Sequence, residues 1–270
     1  MDRYLLKNSI ILILVLVNVF LLGSLGLRRG AALSARERTE NQLVALFAAD
    51  GMELDESLIT WRTPPAALSM ARDSAREREA AVFFLGDSAA LSSEDGGVSR
   101  YTALKGAAQF RANGSFDIAG SLSGEDQGQE LCRTFCKRFS FDGPEFSLDN
   151  EGSGTGSAVF RLGKLPVYNC TVTFTLDRGA LMTVSGTLLP LEGASLGDSR
   201  TPLSAAAALT AFQQLRRESY AVVSAVTELS LCYELQASAA SPTVTLAPAW
   251  QITTDTGKYY VNCITGAVTV

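Results

Sequence analysis

The 270-residue sequence contains no histidine. This absence removes the imidazole general base, the Ser/His and Cys/His nucleophile pairs and the commonest zinc ligand. Most hydrolytic mechanisms are excluded with it. Acidic residues are plentiful but scattered, and no cluster of them indicates a two-carboxylate active site or a carboxylate metal site. We therefore predict a protein that is not an enzyme and that uses no cofactor and no metal.

Basic residues are also scarce. Lys and Arg together number 23 against 28 Asp and Glu, which gives a net charge of -5. Binding to nucleic acid requires clustered Lys and Arg that neutralise phosphates, so this class of partner is excluded. Apolar residues make up 47% of the chain, and its length suffices for one large domain or two modest ones. A folded protein is expected.

One long stretch of the amino terminus has no charged residues. It runs from Ser9 to Leu27, between Lys7 and Arg28. At 1.5 Å per residue, such a run spans roughly the 30 Å of a bilayer's hydrocarbon core. We predict a single transmembrane helix. A cleaved signal peptide is the alternative, because Ser24 and Gly26 are small, but the run is longer than a typical signal-peptide core.

The charges flanking this helix favour a cytoplasmic location for the rest of the chain when they are counted literally. Two basic residues precede the helix and four follow it closely: Arg3, Lys7; Arg28, Arg29, Arg36, Arg38. Within the helix, Asn18 could hydrogen-bond to a partner helix, and Gly23 and Gly26 could allow one to approach closely. The alternative for Asn18 is a bond to its own backbone.

Five cysteines leave the redox state open. Cys132 and Cys136 lie in a helical pattern whose apolar face also contains Leu131, Phe135 and Phe139, which indicates two small core residues. The odd total leaves at least one thiol unpaired in any disulfide scheme. A bridge from Cys132 or Cys136 to Cys170, or from Cys232 to Cys263, stays open as an alternative.

The pattern of helices and hairpins predicts an α+β fold with four parts: residues 1–30, the anchor; 31–122, an α+β region; and two helix-plus-sheet modules, 123–195 and 196–270. Predicted helices cover 35–50, 66–79, Gln127–Phe139 and Pro202–Glu218, the last with Thr201 as N-cap and Pro202 in the first helical position. The stretch AVFFLG at 81–86 is predicted as a buried strand.

Three hairpins are predicted by testing which register gathers apolar residues on one face. Around Asn113, a three-residue loop pairs Phe110 with Phe116. A second three-residue loop, Asp177–Gly179, places Val172 opposite Val184 and Phe174 opposite Met182, with Gly179 in a bulge position.

The final hairpin is predicted to pair Thr254 with Tyr259 across a four-residue loop, Asp255–Lys258. Ile252 then faces Val261 and Trp250 faces Cys263, towards the preceding helix. The opposite face is polar and forms either a partner-binding surface or a solvated sheet face; it carries Gln251, Thr253, Tyr260 and Asn262. The Asp-Thr-Gly in the loop is interpreted as turn chemistry, because an aspartic protease needs two carboxylates that share a proton.

Three short motifs near the carboxyl terminus resemble the corresponding part of YycI-family sequences. They are PAW at 248–250, TDTGKYYVN at 254–262 and Thr265-Gly266. The layout also fits over nearly the full length: a short amino terminus, one membrane helix, a helix around Glu40 to Ala49, the exit DGMEL at 50–54, and glycine-rich strands from Tyr101 to Ile118. The helix-then-hairpin form is shared with PepSY-type domains.

The resemblance implies a membrane-anchored regulatory protein of a cell-wall two-component system. Its implied fold is an extracytoplasmic α+β domain of PepSY/cystatin-like modules, without enzymatic activity. Its implied partners are a sensor histidine kinase and a YycH-like sibling protein. The five cysteines and the arginines after the helix depart from the family pattern. The alternative function is a PepSY-like extracytoplasmic module that binds or inhibits a protease, or senses a peptide or wall fragment, without contacting a kinase.

Overall fold

The computed structural model describes residues 33–196, 201–219, 222–237 and 243–270. Within these ranges the chain is α+β, with four α-helices and a large mixed sheet. The helices are α1 (33–49), α2 (Ser74–Leu85), α3 (Gly128–Arg138) and α4 (Ala205–Ser219), and a 3-10 helix covers Glu56–Leu58. The predicted membrane span, Ser9–Leu27, lies outside the described residues. None of the described helices combines the length and apolarity that crossing a membrane requires.

In the part of the chain that the structure describes, fifteen strands form the sheet. In chain order they are β1 Glu53–Leu54, β2 Leu68–Ala71, β3 Ala90–Asp95, β4 Val98–Ala103, β5 Gly106–Arg111, β6 Ser115–Gly120, β7 Glu145–Leu148, β8 Gly154–Leu162, β9 Leu165–Asp177, β10 Ala180–Thr187, β11 Ala194–Ser195, β12 Ala225–Gln236, β13 Thr243–Thr254, β14 Lys258–Asn262 and β15 Val268–Thr269.

The sheet has two parts, which we call the central sheet and the terminal sheet. The central sheet contains β3 to β10, which pair as consecutive antiparallel strands except where β6 pairs with β10. The terminal sheet contains β1, β2 and β11 to β15. Among the described strands, one parallel bridge joins the two sheets, between Val167 of β9 and Tyr233 of β12.

The central core is rich in phenylalanine. Helices α2 and α3 cover the central sheet, and the Phe135 ring of α3 lies within 4.6 to 6.5 Å, centroid to centroid, of six other phenylalanine rings. Cys132, Cys136 and Phe139 are buried on the same side of α3, as the sequence predicts. The predicted helix Gln127–Phe139 is thus confirmed within one residue at each end.

The terminal core joins the two ends of the described chain. Leu43 and Phe47 of α1 pack in the same cluster as Phe212 of α4 and Trp250 of β13. Trp250 is fully buried, and its indole nitrogen donates a hydrogen bond of 2.9 Å to the carbonyl of Leu203. An aromatic side chain with a satisfied N–H is a strong anchor for such a core.

Hydrogen bonds of the backbone mark the end of α1 and the beginning of α4. Helix α1 ends at the predicted stop, Gly51, whose φ of 71° allows the amide of Met52 to reach the carbonyl of Phe47. Helix α4 begins at Ala205, so Thr201 and Pro202 are not its N-cap and first residue. Leu203 is instead bound to the final hairpin by both backbone groups, and Ser204 accepts a bond from the amide of Ala207.

The segment 66–86 differs from the prediction. Residues 68–71 form β2, which pairs with β13, and the helix begins only after Asp73, whose carboxylate accepts a bond from the amide of Arg76. The stretch AVFFLG is the carboxyl-terminal part of α2, not a strand. A short apolar run fits a buried helix as well as a buried strand, and here the Asp73 cap decides for the helix.

The first hairpin prediction is confirmed and the second needs correction. Phe110 pairs with Phe116 as predicted. In the β9–β10 hairpin, Val184 faces Phe174, and the loop has two residues, Arg178 and Gly179, both with positive φ. The tight turn is accommodated by a register shift between Leu181 and Thr183, which buries Leu181 and leaves Met182 partly exposed.

In the final hairpin, the predicted faces are confirmed but the predicted pairs are wrong. Trp250 faces Val261 and Ile252 faces Tyr259, so the four-residue loop is 254–257, one residue earlier than predicted. The Thr254 hydroxyl accepts bonds from the amides of Thr256 and Gly257 and thereby holds this loop. The shift changes each partner by two positions, which leaves every side chain on its predicted face.

Candidate functional site

The predicted polar face of the final hairpin lies on the side of the terminal sheet away from Trp250. Ser230, Gln251 and Tyr260 stand opposite one another on β12, β13 and β14. The Gln251 amide donates to the Thr253 hydroxyl at 3.3 Å. Gln251, Thr253 and Tyr260 are all partly exposed, so three of the four predicted residues form one accessible surface.

Asn262, the fourth predicted residue, is buried. Its side-chain oxygen accepts bonds from the amides of Ile264 and Thr265, and its side-chain nitrogen donates to the Glu234 carboxylate. These bonds use both ends of the amide to hold the turn between β14 and β15. The described contacts of Asn262 are therefore those of a residue that supports the turn.

Tyr168 of β9 lies over this face. Its ring stacks on Tyr260 with 3.6 Å between centroids and 8° between planes, and its hydroxyl is 3.2 Å from that of Thr269. Burial raises the pKa of both tyrosines above the usual value. Because Tyr168 adjoins Val167, the stack reinforces the single bridge between the two sheets.

A cleft of about 830 Å³ opens beside this junction. This volume falls within the range of small-molecule and cofactor sites, roughly 300 to 1,000 Å³. Three separate parts of the chain supply most of its walls: the 3-10 helix and the residues after it, the tip of the β8–β9 hairpin, and four consecutive residues of β12, Glu228 to Leu231. Gln251 and Trp250 also border it.

The charges of the cleft are mostly positive. Arg161 forms an ion pair of 2.6 Å with Asp142, and its guanidinium also donates to the carbonyl of Lys164. The other cations in the walls have no ion pair with any described carboxylate; they are Arg62, Lys164 and Lys258. The other acid in the walls, Glu228, is exposed. An acidic ligand is favoured.

The chemistry of the remaining reactive groups is that of structural residues. All five cysteines are buried with free thiols, and burial raises the pKa of each to about 12. A thiol with such a pKa is neutral and a poor nucleophile. The described residues include no group of three or more acidic or cysteine side chains that could hold a metal.

Asp255 of the Asp-Thr-Gly sequence also has a structural role. Its carboxylate accepts bonds from the amides of Ser224 and Ala225, which hold its pKa below the usual value. The bonds tie the β13–β14 loop to the start of β12. They agree with the interpretation of this motif as turn chemistry.

The sequence does not indicate most residues of the cleft. Arg62, Lys164 and Glu228 lie far apart in the chain and carry no motif, and only the polar face around Gln251 was recognisable by its alternation. A lone Gly-Lys turn at 163–164 indicates a hairpin tip but not what it overhangs. The candidates for membrane-helix contact, Asn18, Gly23 and Gly26, lie outside the described residues.

Comparison with known proteins assigns no family. No protein-family model and no curated protein matches the chain. Among solved structures, the chain is similar to an uncharacterized protein from Eubacterium rectale, with 12% identity and a TM-score of 0.47, over 77% of this chain and 86% of that one. It is also similar to YycH from Bacillus subtilis, with 12% identity and a TM-score of 0.35, over 73% of this chain and 52% of that one. At these TM-scores, neither similarity places the chain in a family.

Proposed function

We propose that the chain is a non-catalytic regulatory protein, anchored in the cell membrane by one helix, whose extracytoplasmic part modulates a sensor histidine kinase of a cell-wall-related two-component system. A YycH-like sibling protein is the second proposed partner. The proposal of these two partners rests on the YycI-like motifs at residues 248–266 and on the apolar run that precedes the folded part.

The docking of α1 carries the proposal. This helix follows the predicted anchor after a few residues, and its Leu43 and Phe47 are buried in the terminal core. Leu229 and Leu231 pack against the same core and also line the cleft. A partner that binds in the cleft therefore acts on the core in which the helix from the membrane is seated.

Polar contacts fix both ends of α1 to the folded part. Near its start, the Arg36 guanidinium lies 5.2 Å from the Trp61 ring centroid, and near its middle the Glu40 carboxylate accepts a hydrogen bond from the Trp61 indole. At its end, the Asp50 carboxylate accepts a bond of 2.7 Å from Arg217 of α4 and a second from Gln213. A helix held at both ends moves with the domain, which suits the transmission of binding to a membrane helix.

The test compares response-regulator phosphorylation in cells with and without the protein. We expect deletion of the gene to change the phosphorylated fraction of one response regulator several-fold, measured for each regulator on phosphate-affinity gels. The full chain should restore the original phosphorylated fraction. A secreted chain that begins at residue 33 should not, because it lacks the predicted membrane helix. An unchanged phosphorylated fraction of every regulator would contradict the kinase proposal.

The proposed orientation has its own test. A reporter enzyme that is active only outside the cytoplasm, fused after Val270, should be active, and the matched fusion of a cytoplasmic reporter should be inactive. The reverse pair of results would place the folded part in the cytoplasm, as the basic residues after the predicted helix suggest. It would also remove any contact with an extracytoplasmic partner.

A further inference from the structure

We propose that the open edge of β12 in the cleft binds an extended, acidic segment of a partner protein as an added β-strand. The inference rests on the proposed function, in which the cleft contacts another protein. It specifies the chemistry of that contact: backbone hydrogen bonds to β12, with alternating acidic and apolar side chains on the bound segment.

The outer edge of β12 has described partners only at its two ends. β1 pairs with Ala225 and Val226, and β9 pairs with Tyr233; both run parallel to β12. No described strand pairs with residues 227–232 on this side. The gap from Val226 to Tyr233 is roughly 23 Å long at about 3.3 Å per residue, so a bound segment of about six residues fits into it.

The direction of the backbone groups follows from Leu235. Its N–H and its carbonyl are both bonded to the Asn169 side chain of β9, at 2.7 and 2.9 Å, so both point to the outer edge. The pairing of β12 with β13 continues without a shift from Glu228 to Gln236. Successive residues alternate in direction, so the backbone groups of Leu229 and Leu231 also point outwards, into the cleft.

The outward-pointing backbone groups of Leu229 and Leu231 need hydrogen-bond partners. Leu229 and Leu231 are half-buried, and no described residue bonds their backbone N–H or carbonyl. Partly buried backbone groups must be satisfied by water or by a ligand. A strand added at such an edge satisfies them with main-chain bonds, which is a recurring mode of peptide recognition.

The side chains around the β12 edge favour a bound segment in which acidic and apolar residues alternate. On one face of β12 lie Leu229 and Leu231, which favour apolar side chains. On the other face lie Glu228 and Ser230, and Lys258 shares that face through its pairing with Thr253. Together with Arg62 and Lys164 in the walls, Lys258 makes three cations that lack described ion-pair partners. Acidic side chains on the bound segment would complement these cations, although the chain as a whole is acidic.

The test measures binding of a defined peptide to the full chain in detergent micelles. The probe is fluorescein-labelled Gly-Glu-Val-Glu-Val-Glu-Val-Gly amide, followed by anisotropy. We expect it to bind at least tenfold more tightly than the peptide with Lys for Glu, and than the peptide N-methylated at alternate residues. Equal affinities for all three peptides, or no binding of the first, would overturn the inference.

Two variants locate the contact. Leu231→Pro removes an N–H that β13 does not use, and it should weaken peptide binding at least tenfold, whereas Leu231→Val, which keeps the N–H and an apolar side chain, should weaken it far less. If Leu231→Pro does not fold, hydrogen exchange of the unaltered chain replaces it. The peptide should then slow exchange in residues 227–232 and not in α3.

The outcomes separate this inference from the proposed function. A dimer of the full chain that Leu231→Pro dissociates, without peptide binding, would make a second copy the occupant and would overturn the inference. Response-regulator phosphorylation after gene deletion does not depend on the strand edge. The edge inference can therefore fail while the regulatory proposal holds, and the converse is equally visible.

Discussion

The central core and the terminal core use similar side chains but draw them from different parts of the chain. Most of the central core comes from consecutive elements between residues 80 and 189, with Phe135 in the middle. The terminal core brings Leu43 and Phe47 of α1 against residues after 205. The difference teaches that α1 belongs to the carboxyl-terminal half structurally, although it lies at the other end in sequence. The four predictions that follow test this division.

Replacement of Trp250 by alanine should have the largest effect. The change removes the largest side chain of the terminal core and leaves the Leu203 carbonyl without its bond. Such changes cost about 3 to 5 kcal/mol in the free energy of unfolding, to be measured by urea denaturation. Thr253→Ala, on the opposite face, should cost less than about 0.5 kcal/mol. Equal effects of the two would mean that Trp250 is not a core anchor.

Phe47→Ala should have the next largest effect and is the direct test of the division. We expect a loss of about 3 kcal/mol, because the ring is fully buried beside Phe212. Hydrogen exchange should speed up in α4 and β13 more than in α3. The control is Gln42→Ala on the exposed side of α1, which should leave exchange unchanged. Faster exchange confined to α3 would show that α1 supports the central core instead.

Asp50→Asn should have a smaller, pH-dependent effect. The hydrogen bond from Arg217 lowers the pKa of Asp50 in the folded state below its ordinary value of 3.8. The charged form therefore stabilises the fold fully above that value, and this contribution disappears as the pH falls through the lowered pKa. The melting temperatures of the two proteins should differ at neutral pH and converge in acid. Asp87→Asn, on an exposed turn, is the matched control for the loss of one surface charge. A difference for Asp50→Asn that does not shrink in acid would contradict this role.

Thiol labelling should show no effect in the native protein. All five thiols are buried with pKa values of about 12, so a disulfide reagent at pH 8 should label none of them rapidly and all five after denaturation. In Trp250→Ala, Cys263 should become reactive before Cys132, because only Cys263 shares the terminal core. Rapid labelling of native Cys132 would contradict the burial of α3.

Local patterns in the sequence predicted local structure well. The apolar stripe of α3, the Gly51 stop and the faces of the final hairpin all follow from spacing within about fifteen residues. Exact pairing was harder. The final hairpin keeps its predicted faces and moves its loop by one residue, whereas the register shift in the β9–β10 hairpin buries Leu181 in place of the predicted Met182. Alternation fixes which side a residue faces, but loop contacts such as those of Thr254 fix its partner.

Contacts between distant segments left no such signal. Nothing in α1 indicates that it packs beside α4, and nothing in β12 indicates that its edge is open between β1 and β9. The cleft depends on that arrangement, since Arg62, Lys164 and Glu228 meet only after the two sheets join. Of the site, the sequence revealed only the face shared by Gln251, Thr253 and Tyr260.

The docking of α1 also sets an order of events during synthesis. Asp50 at the end of α1 and its partner Gln213 are separated by 163 residues. Ribosomes add about 5 to 20 residues per second, so α1 emerges roughly 8 to 30 seconds before α4 exists. Its apolar stripe stays uncovered for that time, while most of the central core, which comes from residues 80 to 189, can already close. A chain that ends at residue 204 and has been released from the ribosome should therefore protect α3 from proteases and leave α1 open to cleavage.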